Sequence, residues 1–273
     1  MAIRQFQIPG KLINTPTDAV FRGNTGQYGW SYSASPNLGI WQRADAYTGE
    51  NHSLLGAFSV WFFIESAVQN DTNILLDENN TVGTFPISNI GFSSAAPTLT
   101  LRGHNATPVV IQATGTTSAS LGTWHHLLLS WDLTSGNTFA NDFHMYLDDV
   151  DIKPGSGTFV DGTELEWMLD VNTGRIEFGN TTALSPNWAL STVWFTHSQY
   201  IDFSVQANRR KFIDSSGDPV ALGLTGELPT GTQPEIYLDD PVATILTQRG
   251  SAGDFLYDFL GSGVLIDVAG PNP

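Results

Sequence analysis

The chain has no cysteine, three methionines and only 11 lysines and arginines in 273 residues. Without cysteine there is no disulfide scaffold, no thiol nucleophile and no cysteine-ligated zinc. Stability needs none of them, because a chain of this length can bury about 75% of its extended surface. The few cations face 27 acids, for a formal net charge of −16, and this argues against binding free nucleic acid, which depends on cationic neutralisation of phosphate. The acids are scattered rather than gathered in a tail. Scattered charge on a β-protein keeps sheet edges from pairing with other chains, so solubility is the preferred reading. No run of 18 apolar residues occurs, and the opening MAIRQFQIPG lacks the apolar core of a secretory leader. The expectation is a chain that neither enters a membrane nor leaves the cell by an ordinary signal.

What the sequence does contain is strand after strand. Gly122-Thr-Trp-His-His-Leu-Leu-Leu-Ser-Trp-Asp-Leu133 and Asp142-Phe-His-Met-Tyr-Leu-Asp-Asp-Val150 are apolar runs separated by a Thr/Ser/Gly/Asn turn, which predicts a hairpin. In the first run His125, Leu127, Leu129 and Trp131 share one face and Trp124, His126, Leu128 and Ser130 the other. Both faces are largely apolar, as expected of a strand covered on both sides in a layered all-β domain. Further strand signals lie at 57–64, 73–77, 85–92, 97–102, 108–112, 174–180 and 188–197. One helix is predicted, over Phe203–Ile213, with Asp202 or Ser204 as N-cap and Arg209, Arg210 and Lys211 near its C-terminal dipole.

The wording of several of these segments resembles concanavalin A-like lectin/glucanase sandwiches of the laminin-G and pentraxin-like group. The TWHH…SWD and hMYLDD pair of residues 123–149, the strand Ala57–Ile64, the strand Gly174–Asn180 and the strand Trp188–His197 follow the order of that family. The resemblance implies an all-β, jelly-roll sandwich of two antiparallel sheets over residues 17–215, with a short helix after the closing strand. It departs from the family at Asp148-Asp149-Val150-Asp151, where relatives carry an Asn/Asp-Gly turn. Residues 1–16 read as an N-terminal arm. Residues 216–273 read as a Gly/Pro/Thr-rich extension, too thin for its own core, packing on the sandwich or a neighbouring subunit. The segment NRRKFID…GDPVALG…GELPTGTQPEIYLDDP resembles the C-terminal part of laminin-G-like virion proteins of tailed bacteriophages. That likeness implies a non-enzymatic structural component of the virion, on the head or tail, made in the host cytoplasm, with other virion proteins as partners and a homo-oligomeric state. The alternatives are a glycan-active enzyme and a free lectin.

Chemistry is sparse. Glucan hydrolases of the same sandwich family carry a Glu-x-Asp-x-x-Glu strand; Glu164-Leu-Glu166 lacks the Asp and the third carboxylate and reads as a solvated face. There is no nucleophile elbow, P-loop or His-Glu-x-x-His motif. His125 and His126 point to opposite faces of a strand and cannot share a metal. Asp148, Asp149 and Asp151, with Asn141 and Asp142 nearby, form the one Ca²⁺ candidate, since hard oxygens on a loop suit that ion. The spacing matches no defined calcium loop, and Asp-rich turns serve their own backbone, so no cofactor is expected. Tyr28, Trp30 and Tyr32, alternating in a Gly-rich stretch, are candidates for stacking on host surface glycans. The competing reading, that they tuck under a sheet, is favoured about two to one because each buried aromatic contributes ~1.5–3 kcal/mol.

Overall fold

The computed structural model describes residues 28–33, 39–43, 52–64, 72–79, 87–92, 98–104, 109–166, 174–178, 188–239, 250–251, 255–259 and 264–271. The predicted N-terminal arm lies outside them. Among the described residues strands are the main element. In order these are β1 (Tyr28–Ser33), β2 (Gly39–Arg43), β3 (His52–Ser53), β4 (Leu55–Ile64), β5 (Thr72–Asn79) and β6 (Ile87–Phe92). Next come β7 (Thr98–His104), β8 (Val109–Ser118), β9 (Trp124–Asp132), β10 (Phe143–Leu147), β11 (Val150–Asp151) and β12 (Thr158–Phe159). The last six are β13 (Leu165–Glu166), β14 (Gly174–Phe178), β15 (Trp188–Thr196), β16 (Ile236–Leu238), β17 (Phe255–Phe259) and β18 (Val264–Ala269).

Two antiparallel sheets dominate. The larger runs β11-β10-β9-β4-β15-β1-β18, with β16 also on β15; the smaller runs β12-β8-β7-β6-β5-β14. The predicted hairpin sits at the heart of the larger sheet, where β9 pairs with both β10 and β4. Its two faces behave as their alternation predicts. Leu127, Leu129 and Trp131 join Phe58, Phe62, Phe143, Met145, Phe195 and Ile111 between the sheets, all essentially fully buried. Leu128 points the other way, with Tyr146 and Trp194. Trp131 fits because residue 56 is glycine: a Cβ there would stand 2.1 Å from the indole.

The outward side of the larger sheet is not solvated. Chain beyond β15 folds across it, and Ile201, Phe203, Phe212 and Leu222 pack on Leu128, Tyr146, Trp194 and Tyr237. This third layer explains why the strands are apolar on both faces. The short helix predicted over Phe203–Ile213 forms over part of that range. Only Gln206–Arg209, labelled α2 after the single turn α1 (Phe139–Asp142), is helical, and its N-cap is Val205 with no side-chain cap. Asp202 instead accepts the N–H of Ser204 in an Asx turn (2.9 Å). The Arg209 side chain donates to the carbonyls of Phe203 (2.6 Å) and Ser204 (3.2 Å), oxygens that a continuing helix would spend on backbone N–H groups. The segment 216–273 is not an appendage: β16 pairs with β15 and β18 with β1, so the larger sheet draws strands from beyond residue 215.

Candidate functional site

The Asp148-Asp149 turn shows how the sequence folds locally and why its carboxylates do not converge. Leu147 pairs with Val150, leaving two residues to reverse the chain, with φ of 51° and 65°. Those are the left-handed positions of a type I′ hairpin, normally Asn-Gly, and Asp tolerates them through short-range hydrogen bonds. Asp148 turns back onto β9, accepting the N–H of His126 (2.7 Å) and pairing with His125 Nδ1 (2.6 Å). The far side of that ring, Nε2, lies 2.9 Å from Ser120 Oγ and 3.0 Å from Thr123 Oγ1. Burial pulls the His125 pKa down, but the hydrogen bond and charge of Asp148 outweigh it and leave it raised.

Asp149 turns the opposite way, to Arg209 Nε and to Arg210 Nη2 (2.6 Å). Burial pushes its pKa up, yet the two guanidiniums prevail and hold it below the usual carboxylate range. Arg209 also lies 4.4 Å above the ring of Tyr146, a cation–π contact. The arginines expected to serve a helix dipole thus anchor the third layer to the turn. Asp151 takes a third direction, accepting the N–H of Lys153 (2.9 Å), while Asp142 accepts that of Thr138 (2.7 Å). Among the described residues no three His, Asp or Glu side chains are grouped to hold a metal ion. The geometry therefore distributes Asp148, Asp149 and Asp151 among separate partners and does not assemble them as a Ca²⁺ site.

The histidines follow suit. His125 lies beside Phe62 on the core side, and His126 stacks on Trp61 (4.7 Å) on the other, as strand alternation requires. His126 Nε2 meets Ser59 Oγ at 2.9 Å, and complete burial lowers its pKa to about 3, so the ring is neutral. A third histidine was not flagged by any motif. His144, on the outward side of β10, meets Tyr200 OH at 2.8 Å and Asp202 at 3.3 Å. Burial lowers the His144 pKa against the pull of Asp202, and burial with nearby carboxylates pushes Tyr200 up. This cluster ties residues 200–202 to the sheet, a second anchor for the third layer.

The aromatic trio is not on a loop. Tyr28, Trp30 and Tyr32 lie on β1, hydrogen-bonded between β15 and β18, and only their backbone positions are described. Trp30 is in register with Leu190, which is fully buried between the sheets. Register partners share a face, so the backbone position of Trp30 falls on the same face of the sheet as that of Leu190.

The exposed hydrogen-bonding surface is elsewhere, on the smaller sheet. Along β8, Ile111 and Ala113 are buried while Gln112, Thr114 and Thr116 are exposed. Thr158 of β12, also exposed, is in register with Gln112. On the other side Arg102 is opposite Gln112 and Thr100 opposite Thr114, and Asn89 is opposite Arg102. Two adjacent polar rows therefore cross this face. Which strands flank β8 is a matter of register.

No family profile matches the chain, and no curated protein matches it in sequence. Solved structures match it in shape. A candidate carbohydrate-binding protein from Bacteroides ovatus is 12% identical over 88% of this chain, with a TM-score of 0.50; the match spans 60% of that protein's length. A heptameric SAP-like pentraxin from Limulus polyphemus is 12% identical over 90% of this chain and 96% of its own, at 0.47. The CBM40 domain of a Ruminococcus gnavus sialidase, solved with α2,6-sialyllactose, is 11% identical over 68% of this chain and 98% of its own, at 0.42. The fold is a concanavalin A-like, lectin-type β-sandwich. At such low identity the likeness is one of architecture. Among the described residues of this lectin-type sandwich the two outward faces differ: a third layer packs over β9, β10, β15 and β16 of the larger sheet, and β8 and β12 of the smaller sheet expose polar side chains.

Proposed function

We propose that the chain is a non-enzymatic carbohydrate-binding module that serves as a structural component of a tailed-bacteriophage virion. In this reading it is a homo-oligomer held by other virion proteins, and it presents the sandwich to host surface glycans. The observation that carries the binding role is the exposed ladder of Gln112, Thr114 and Thr116 on β8, continued by Thr158 on β12. Amides and hydroxyls offer donors and acceptors side by side, as a sugar's hydroxyl pairs demand. The lectin-type architecture supports the same reading by analogy of fold. The non-enzymatic part is supported by Glu164, which is exposed beside the two-residue strand β13, as a solvated carboxylate is. Binding is independent of Ca²⁺ in this reading, because Asp148, Asp149 and Asp151 are engaged elsewhere. The virion role rests on the likeness of residues 208–241 to phage laminin-G-like proteins, and oligomeric display would convert weak single-site binding into avidity.

A broad glycan array probed with folded, multimeric protein tests the binding role. The expected result is a signal that EDTA leaves unchanged. Silence in both buffers overturns glycan binding, and a signal abolished by EDTA overturns its metal independence. Release of reducing sugar from laminarin or xylan overturns the non-enzymatic reading. Antibody to the chain is expected to label intact phage particles. Its recovery only in the particle-free supernatant overturns the virion role.

A further inference from the structure

We infer that the polar face of the smaller sheet selects acidic glycans, with the Arg102 position as its charge-reading centre. The inference rests on the carbohydrate-binding reading and assigns it a ligand class.

The register carries the argument. Arg102 lies between Gln112 on one side and Asn89 on the other, with Thr158 one strand beyond. Strands lie about 4.8 Å apart, so this row extends roughly 14 Å; the Thr100–Thr114 row runs parallel to it about 7 Å away. That is a flat strip with room for a short oligosaccharide, open to solvent at Gln112, Thr114 and Thr158. It bears no carboxylate: among the described residues of β6, β7 and β8 there is no Asp or Glu. The acids that share the face come later in the sheet. Glu78 of β5 is in register with Ile87 and with Arg175, and Glu177 of β14 is opposite Leu76. By strand spacing these backbone positions are roughly 12 and 14 Å from that of Arg102.

In a chain with 27 acids and 11 bases, a cation centred on a strip free of acid is unusual. These backbone separations exceed the Debye length of about 8 Å at physiological salt, so the cation at the Arg102 position, rather than the net charge of the chain, would dominate the potential met by a docked sugar. A guanidinium grips a carboxylate or sulfate through two parallel N–H donors, and flanking amides supply the hydrogen bonds to neighbouring hydroxyls. A neutral sugar would use only the second set.

The test compares pairs that differ in charge alone: tetragalacturonate against its methyl ester, and sialyllactose against lactose, by titration calorimetry on the full chain. The acidic member of at least one pair is expected to bind about tenfold or more tightly, with the preference shrinking as salt rises. Arg102→Gln is expected to level the two members of that pair, and Arg102→Lys to retain part of the preference. Gln112→Glu places a carboxylate opposite Arg102 at an exposed position and is expected to abolish the preference even if Arg102 variants fold poorly. Equal binding of acidic and neutral members, or a preference that survives both Arg102→Gln and Gln112→Glu, overturns the charge-reading role while leaving a lectin. Absence of binding to every sugar, on these pairs and on the array, overturns the underlying reading as well.

Discussion

On the outward side of the larger sheet, Tyr146, Leu128, Ser59, Trp194 and Tyr237 stand in one cross-strand row. On the smaller sheet the corresponding row reads Thr158, Gln112, Arg102, Asn89, Leu76 and Glu177. Both are antiparallel ladders of the same sandwich, and what lies over them follows from their composition. An apolar row left in water would forgo about 25 cal/mol for each Å² it could bury, so the chain beyond β15 is drawn across it and fixed there by charge. A row that is polar at most of its positions offers less of that gain, and Gln112 and Thr158 in it are exposed. If the smaller sheet is the recognition surface proposed above, substitutions on the two sheets should separate stability from binding.

The largest effect is expected from Phe203→Ala. Phe203 is fully buried against Phe212 at 5.7 Å, and its loss opens a cavity beneath the third layer. About 3–5 kcal/mol of stability should go, by the usual cost of a buried Phe truncated to Ala. Chemical denaturation reads it directly, and a midpoint within error of the parent would mean that the third layer is not part of the cooperative unit. Glycan binding measured well below the transition should be unchanged.

Next comes the ion pair that fixes this layer. Asp149→Ala removes the partner of both Arg209 and Arg210 and leaves a nearly buried guanidinium without its counter-charge. A fully buried pair costs 3–5 kcal/mol to break; with the Arg210 half more exposed, about 2–3 kcal/mol is expected here. Thermal melts of Asp149→Ala and of an Arg209→Met/Arg210→Met variant should show losses that do not add, since both delete the same contact. Full additivity would sink the claim.

The pH dependence follows in size. Asp149 has a folded-state pKa below the unfolded one, so its contribution is complete above the unfolded value of about 4 and is lost as pH falls through the folded value. His125 has the opposite sign: its pKa is raised by Asp148, so its contribution is present below about 6.5 and fades as pH rises through the folded value. His126 and His144, whose burial lowers their pKa values, lose their contribution as pH falls below about 6.5, so stability is expected to peak near that pH and to decline on both sides of it. In His125→Gln the decline on the alkaline side should flatten while the acid limb stays, and a decline of undiminished slope would contradict the assignment.

Much of this was legible in the residues and some was not, for identifiable reasons. Strands with period-two apolarity declared themselves, and the double-faced hairpin 124–147 even announced that a layer must cover it. The helix over 203–213 is shorter than its sequence suggested, confined to Gln206–Arg209, because Phe203 and Phe212 both turn to the sheet and Arg209 occupies the carbonyls that would extend it. The Asp148-Asp149 turn looked like a ligand cluster because composition shows how many oxygens are near in sequence, not the directions in which a type I′ turn sends them. Tyr28, Trp30 and Tyr32 resembled a loop because glycine and serine alternate with them, and only the pairing of β1 with β15 and β18 reveals a strand. The polar strip could not be read in advance at all. Its members are spread from residue 89 to residue 158, and only register brings them together.

The smallest effect on stability tests the comparison most sharply. Gln112 and Thr114 are exposed on β8, and their backbone ladder does not depend on their side chains. Gln112→Ala and Thr114→Ala should each leave the denaturation midpoint within about 0.5 kcal/mol of the parent, as surface substitutions do. If this sheet is the recognition surface, the same variants should weaken glycan binding several-fold, whereas Phe203→Ala, far more damaging to the fold, should leave it intact at low temperature. A double Gln112→Ala/Thr114→Ala protein that binds as tightly as the parent would move recognition off this face. The exposed polar ladder would then be only the solvated back of a sheet, with its threonines there for their β-propensity.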